Sequence, residues 1–164
     1  MPYYKAPLRD LRFVYYELFD AEHLTGLPGL EEASQELVMD VATEAARFAE
    51  KVLQPLNKVG DQEGCKFEAG KVTTPTGFKE AHKIYVESGW PSVTAPPEFG
   101  GQGLPHIIAT PVQEIWKSAN LAFSLAPMLT AGVLEALRIH GSPEQKAIYF
   151  GKLIAGEWSG TMNL

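Results

Sequence analysis

Apolar residues return every three or four positions through most of the 164-residue chain, and that period suits helices better than strands. Between Glu31 and Leu56 the apolar positions are Leu37, Val41, Ala45, Phe48 and Val52, with Glu32, Glu36, Asp40, Glu44 and Glu50 between them. The spacing predicts a long amphipathic helix with an acidic outer face. Such a charge run reads as a solvated surface before it reads as a dock for a basic partner. A shorter helix is expected from Leu8 to Phe19, then a turn around Gly26, Pro28 and Gly29. Gly60 to Gly70 reads as a polar loop, and Thr76 to Glu87 as a helix with Phe78, Ala81, Ile84 and Tyr85 inward.

One segment resists the helical period. From Trp90 to Pro105 the pairs Pro96-Pro97 and Gly100-Gly101, with Gly103-Leu104-Pro105, enforce loop geometry. Helix is expected to resume with Pro105 as its first residue and to run to about Ser118. The next stretch, Asn120 to Ile139, is apolar on nearly every face and is expected at the centre of the bundle, enclosed by the others. Ser142-Pro143-Glu144-Gln145 spells a capping box opening a helix to about Ile154. The residues from Trp158 onward lose the period and read as the first residues of a β-strand, so the chain looks cut. The fold class is therefore all-α, a bundle of about six helices ending in the start of a β-strand.

Charge and cysteine content narrow the function. Lys and Arg total 14 against 20 Asp and Glu, a net charge of −6, which disfavours nucleic acid and anionic membranes as partners. Cys65 is the only cysteine, so no internal disulfide forms and a cytoplasmic setting is expected. The charge-free stretch from Ser118 to Leu134 is slightly short and too polar for a membrane span, and none is expected. His23, His82 and His106 lack the i+3 or i+4 partner of a helical metal site, and His140 is followed by Gly141-Ser142-Pro143-Glu144, so no metal is assigned. Gly151-Lys152 is not a phosphate loop, and Gly100-Gly101-Gln102-Gly103 lacks dinucleotide-binding spacing. Glu114, beside Trp116, reads as a surface or paired carboxylate.

Three patterns in one order carry a resemblance. Pro96-Pro97-Glu98-Phe99-Gly100-Gly101-Gln102-Gly103-Leu104 resembles the Pro-x-x-(Phe/Tyr)-Gly-Gly-x-Gly-Leu loop of flavin-dependent acyl-CoA dehydrogenases. Gly141-Ser142-Pro143-Glu144-Gln145-Lys146 resembles their Gly-x-x-Glu-Gln-Lys helix, and Gly156 to Leu164 the approach to their Thr-Glu-Pro segment. The resemblance covers residues 36 to 164. The segment from Tyr3 through Phe19-Asp20 is similar to the N-terminal extension of a bacterial branch that includes methylthiopropanoyl-CoA dehydrogenases.

The resemblance implies an extension over residues 1–35, an N-terminal helical domain over 36–158 and the start of a middle β-domain over 159–164. It implies a homodimeric or tetrameric parent enzyme that uses FAD to desaturate an acyl-CoA thioester between its α and β carbons. In that chemistry a carboxylate takes the α-proton, hydride passes to the flavin, and electrons leave to an electron-transferring flavoprotein. The family's catalytic base lies beyond Leu164, so no catalytic residue is assigned and the 164 residues alone are expected to be inactive and not to retain FAD. Met162 and Leu164 match positions that flank the flavin; Met128, Leu129 and Gly132 match the region that walls the acyl chain, where ordinary core packing is the competing explanation. Two rivals stand beside this reading: an acyl-CoA oxidase-like flavoenzyme domain, and a non-catalytic helical interaction module.

Overall fold

The computed structural model of the chain describes residues 3–161. Its helices are α1 (Leu8–Arg12), α2 (Gln35–Phe48), α3 (Gln54–Glu63), α4 (Phe78–Glu87), α5 (His106–Ala119), α6 (Leu121–His140) and α7 (Pro143–Ile154). A hairpin of β1 (Lys66–Glu68) and β2 (Lys71–Thr73) interrupts an otherwise all-α bundle.

The long helix expected over Glu31 to Leu56 is two α-helices joined by a π-helical turn, Ala49–Leu53. Pro55 supplies the reason. Proline inside a helix has no N–H to donate and crowds the preceding turn, and a widened turn relieves both faults. In the five-residue register, where Gln54 N–H reaches Ala49 O, the carbonyl facing Pro55 is that of Glu50. The Tyr3 hydroxyl donates to that Glu50 oxygen at 3.4 Å, and the Glu50 carboxylate accepts from Ala6 N–H at 3.0 Å. The N-terminal segment is thereby bound to the widened turn. Helix then continues through Gly60 to Glu63, past the loop boundary that the glycine suggested, and Gly60 serves a contact: a Cβ there would lie 2.7 Å from the Phe78 ring. The Leu8–Phe19 helix likewise changes type, passing from α1 into a π-helical stretch over Phe13–Leu18.

The fully buried stripe of this helix pair is Val38, Ala42, Ala45, Ala46, Phe48, Ala49 and Leu53, rotated from the expected one, with Leu37, Val41 and Val52 only half-buried. Its alanines let α5 lie close, and α2 and α5 share the largest interhelical contact. At the centre Phe48, Tyr85, Trp116 and Phe123 meet edge to face, with centroids 5.5 Å (Phe48–Trp116), 5.7 Å (Tyr85–Trp116) and 6.1 Å (Phe48–Phe123) apart. Each such pair adds about 0.5–1.5 kcal/mol beyond the area it buries. Two polar ties cross this core: Trp116 Nε1 donates to Ala45 O at 3.1 Å, and Asn120 Nδ2 donates to Leu53 O at 3.0 Å. The Asn120 side-chain oxygen also accepts from Phe123 N–H at 3.0 Å, capping α6.

Further expectations need correction. Ile84, placed inward, is exposed, because the buried face of α4 runs through Ala81 and Tyr85 alone. Pro105 is the N-cap of α5, with an extended backbone, and not its first residue. The Gly60–Gly70 region holds a hairpin whose Phe67 pairs with Val72; Ala69 and Gly70 take the positive φ angles that a two-residue turn requires. The larger correction concerns α6, which is not enclosed. Only Phe123 and Ser124 are buried, while Leu121 (56% exposed), Leu125 (44%) and Ile139 (56%) face outward. Its 20 residues, with a mean hydropathy of 1.4 over an 18-residue window, make it long and apolar enough to cross a membrane by length and composition, a length the charge-free stretch alone had not suggested. Capping by Ser142 and Gln145 is as expected. Residues 158–161 form no strand, and 162–164 lie outside the described residues.

Asn120→Ala removes a helix cap and leaves the buried Leu53 carbonyl short of a donor, so urea unfolding should show a loss of about 2–4 kcal/mol. A loss under about 1 kcal/mol would show that the tie is dispensable. Tyr16, whose hydroxyl is buried without a partner, has its pKa pushed up to about 12, first by burial and then by Glu22 and Tyr15. The folded state thus holds this proton more tightly than the unfolded chain does. Its stabilising contribution is complete below about pH 10 and is lost as pH rises towards 12. Tyr16→Phe should flatten that alkaline decline in a pH series of thermal melts.

Candidate functional site

Three elements leave a cavity between them: α5, α6 and the segment from Trp90 to Pro96. The α5 face contributes His106, Ala109, Val112, Gln113, Trp116 and Lys117, one side of a helix at three- and four-residue spacing. The α6 face contributes Ser124, Pro127, Met128, Ala131, Leu134, Glu135 and Arg138 on the same rule. Small residues at 109 and 131 keep the two helices from filling the space. The cavity measures about 150 Å³ and is apolar within, floored by Tyr85, Trp90 and Trp116. Trp90 meets Trp116 edge to face at 4.9 Å, and burial drives the Tyr85 hydroxyl pKa upward, so it stays a neutral phenol.

The roof is held by the loop that broke the helical period. Residues 102–104 fold back on 92–95, with Gln102 N–H to Ser92 O at 2.8 Å, Gly103 N–H to Ala95 O at 3.0 Å and Leu104 N–H to Val93 O at 2.9 Å. The Gln102 amide also donates to Ser92 Oγ and Gly89 O. A Cβ at Gly101 would lie 1.9 Å from Ala95 O, so only glycine admits this approach. Phe99 stacks on Phe150 of α7 at 4.4 Å, joining the loop to the second apolar cluster with Ala95 and Ile154. At one end the cavity carries charge: Arg138 makes two hydrogen bonds to Glu135, at 2.6 and 2.8 Å, and these hold the Glu135 carboxyl below its ordinary range.

Of the residues assigned from sequence to the acyl wall, Met128 lines the cavity and is also 37% exposed. Leu129 is half-buried outside it, and Gly132 is exposed with nothing within 4 Å of a Cβ position. The three share α6 but are not gathered in one cavity. Met162 and Leu164 lie outside the described residues. The aromatic floor was missed from sequence. Its available signal was the face of α5 on which Ala109, Val112 and Trp116 recur.

Residues 35–157 match the family model described as "Acyl-CoA dehydrogenase, N-terminal domain". The chain belongs to this family. It is 42% identical, over 98% of its own length, to 3-methylmercaptopropionyl-CoA dehydrogenase of Ruegeria pomeroyi, and 29% identical over the same share to a butyryl-CoA dehydrogenase of Syntrophomonas wolfei. It spans about a quarter of each relative, 27% in both cases.

Within this acyl-CoA dehydrogenase N-terminal domain, the cavity between α5 and α6 is by itself too small for FAD. The cavity of about 150 Å³ compares with about 300–1,000 Å³ for a typical ligand or cofactor site. No buried, unpartnered side-chain donor lines it among the described residues. Gly101→Ala must push the 102–104 segment off residues 92–95, so it should cost about 1–3 kcal/mol in chemical denaturation and weaken the near-UV signal of Trp90 and Trp116. Wild-type stability with an intact near-UV spectrum would contradict the role given to this glycine.

Proposed function

We propose that the chain is the N-terminal helical domain of an FAD-dependent acyl-CoA dehydrogenase, in which α6 supplies one wall of the acyl-CoA site. The observation that carries the proposal is the exposed apolar face of α6, within a segment that matches the family model over residues 35–157. A 20-residue helix with only two buried residues is poorly explained as core. It is well explained as a wall waiting for the rest of a larger active site.

On this reading Met128, Leu129 and Gly132 border the acyl chain. Met128 offers an unbranched thioether that adapts its shape, and Gly132 leaves room for close approach. Met162 and Leu164 border the flavin at the entry to a middle β-domain over 159–164. The base that removes the α-proton and most groups that hold FAD belong to other parts of the parent enzyme. That enzyme takes an acyl-CoA, passes electrons to an electron-transferring flavoprotein, and works as a homo-oligomer in the cytoplasm. Names of the relatives, 3-methylmercaptopropionyl-CoA and butyryl-CoA dehydrogenase, favour a short acyl group.

The purified 164-residue chain should carry no flavin absorbance, gain none after incubation with FAD and gel filtration, and leave acyl-CoA unchanged. Stoichiometric FAD that bleaches on addition of acyl-CoA would overturn the division of labour proposed.

A further inference from the structure

We infer that Thr130 is a positioning residue: its hydroxyl pins the irregular segment after α7 onto α6, and so fixes where the backbone sets out towards Met162 and Leu164. This rests on the domain reading above and gives a role to a side chain which that reading leaves unused.

Residues 155–160 belong to no helix or strand, yet they are tied to three helices. Gly156 has a φ of 70°, and a Cβ there would lie 2.5 Å from Val86 Cγ2 of α4. Trp158 N–H donates to Lys152 O of α7 at 3.1 Å, and the Lys152 ammonium lies 4.3 Å from the centre of the Trp158 ring. Ending α7 accounts for this much, since a left-handed glycine past a helix terminus satisfies its last carbonyls. It does not account for Gly160. That residue's N–H reaches a separate helix, donating to Thr130 Oγ1 at 3.0 Å across a sequence separation of 30. A Cβ at 160 would lie 2.6 Å from Val133 Cγ2 and 3.2 Å from Thr130 Cα, so glycine is what lets the backbone lie this close to α6.

Thr130 is prepared to accept. Its own hydroxyl proton is committed to Ala126 O at 2.9 Å, which sets the rotamer and leaves the oxygen's lone pairs for the incoming N–H. Two residues of backbone span at most about 7 Å, so the path from Gly160 towards Met162 starts from a place that α6 determines. The same helix carries Met128 and Gly132, assigned to the acyl wall. One rigid element therefore holds both borders of the proposed site in register, and a misplacement of about 1 Å between them can cost about a hundredfold in rate.

The test uses the full-length polypeptide carrying these residues, holding FAD, as wild type, Thr130→Val, Thr130→Ala and Thr130→Ser. Valine and alanine lack the acceptor, whereas serine keeps it. Thermal melts establish which variants are folded. Two quantities are then measured: hydrogen exchange, by mass spectrometry of the peptide containing Gly160, and steady-state turnover of butyryl-CoA and longer saturated thioesters. Because Thr130 also lines the cavity, exchange is what identifies the lost bond as the cause. The valine and alanine variants should exchange at least about threefold faster at Gly160 and lose about tenfold or more in kcat, with KM within about threefold of wild type. Thr130→Ser should restore both quantities. Unchanged exchange or unchanged kcat in a folded variant without the acceptor, or a serine variant as impaired as the valine one, overturns the positioning role and leaves the domain reading intact. Absence of turnover on every thioester, in wild-type protein holding FAD, overturns the domain reading and the positioning role with it.

Discussion

The side chain of Asn120 joins parts of the structure that have little else in common. One end of its amide caps α6, and the other reaches Leu53 O in the widened turn between α2 and α3. The residue is buried, so neither half of the amide has water as an alternative partner, and breaking either bond exposes an unmet polar group in a dry interior. The position of α6 relative to α2 is therefore set by directional bonds as well as by packing. Trp116, four residues earlier, makes the same kind of connection to Ala45 O and points its ring into the aromatic centre. Between them, the two ties place α5 and the start of α6, the helices that bound the cavity.

Much of this was legible in the sequence because helices write their period into it. The Ser142 box marks the start of α7 through four consecutive residues, and the proline-glycine segment after Trp90 was correctly set apart from the helices. Local chemistry decides such features. The long amphipathic stretch was read as a helix but not as a helix with a π turn, because its three- and four-residue apolar spacing runs on to Val52 without marking the wider turn before Pro55. The hairpin at Lys66–Thr73 escaped because its strands are three residues each and wholly exposed, leaving no alternation to detect.

Placing α6 at the centre was an error of a different kind. Apolarity all round a helix is evidence that it is covered, and it does not say by what. Reading cover as supplied by the chain itself put Leu121, Leu125 and Ile139 in a core where they are not found. The same limit hid the aromatic floor: Tyr85, Trp90 and Trp116 come from three elements, and no spacing in the sequence announces that they meet. Met128 was selected for its resemblance to acyl-wall positions, while Leu129 and Gly132, selected with it, lie outside the cavity.

The bond between Tyr3 and Glu50 bears on where a domain can be said to start. The stretch matching the family model opens at residue 35, yet Ala6 and Leu11 are part of the main core cluster, and Ala6 N–H is held by the Glu50 carboxylate. A helix whose internal proline has removed one of its own donors has, in this fold, borrowed a replacement from nearly fifty residues upstream. A boundary drawn where the family model begins would cut through a single hydrogen-bonded unit. The first thirty-odd residues are better regarded as a missing piece of the long helix's backbone chemistry, supplied from another part of the chain.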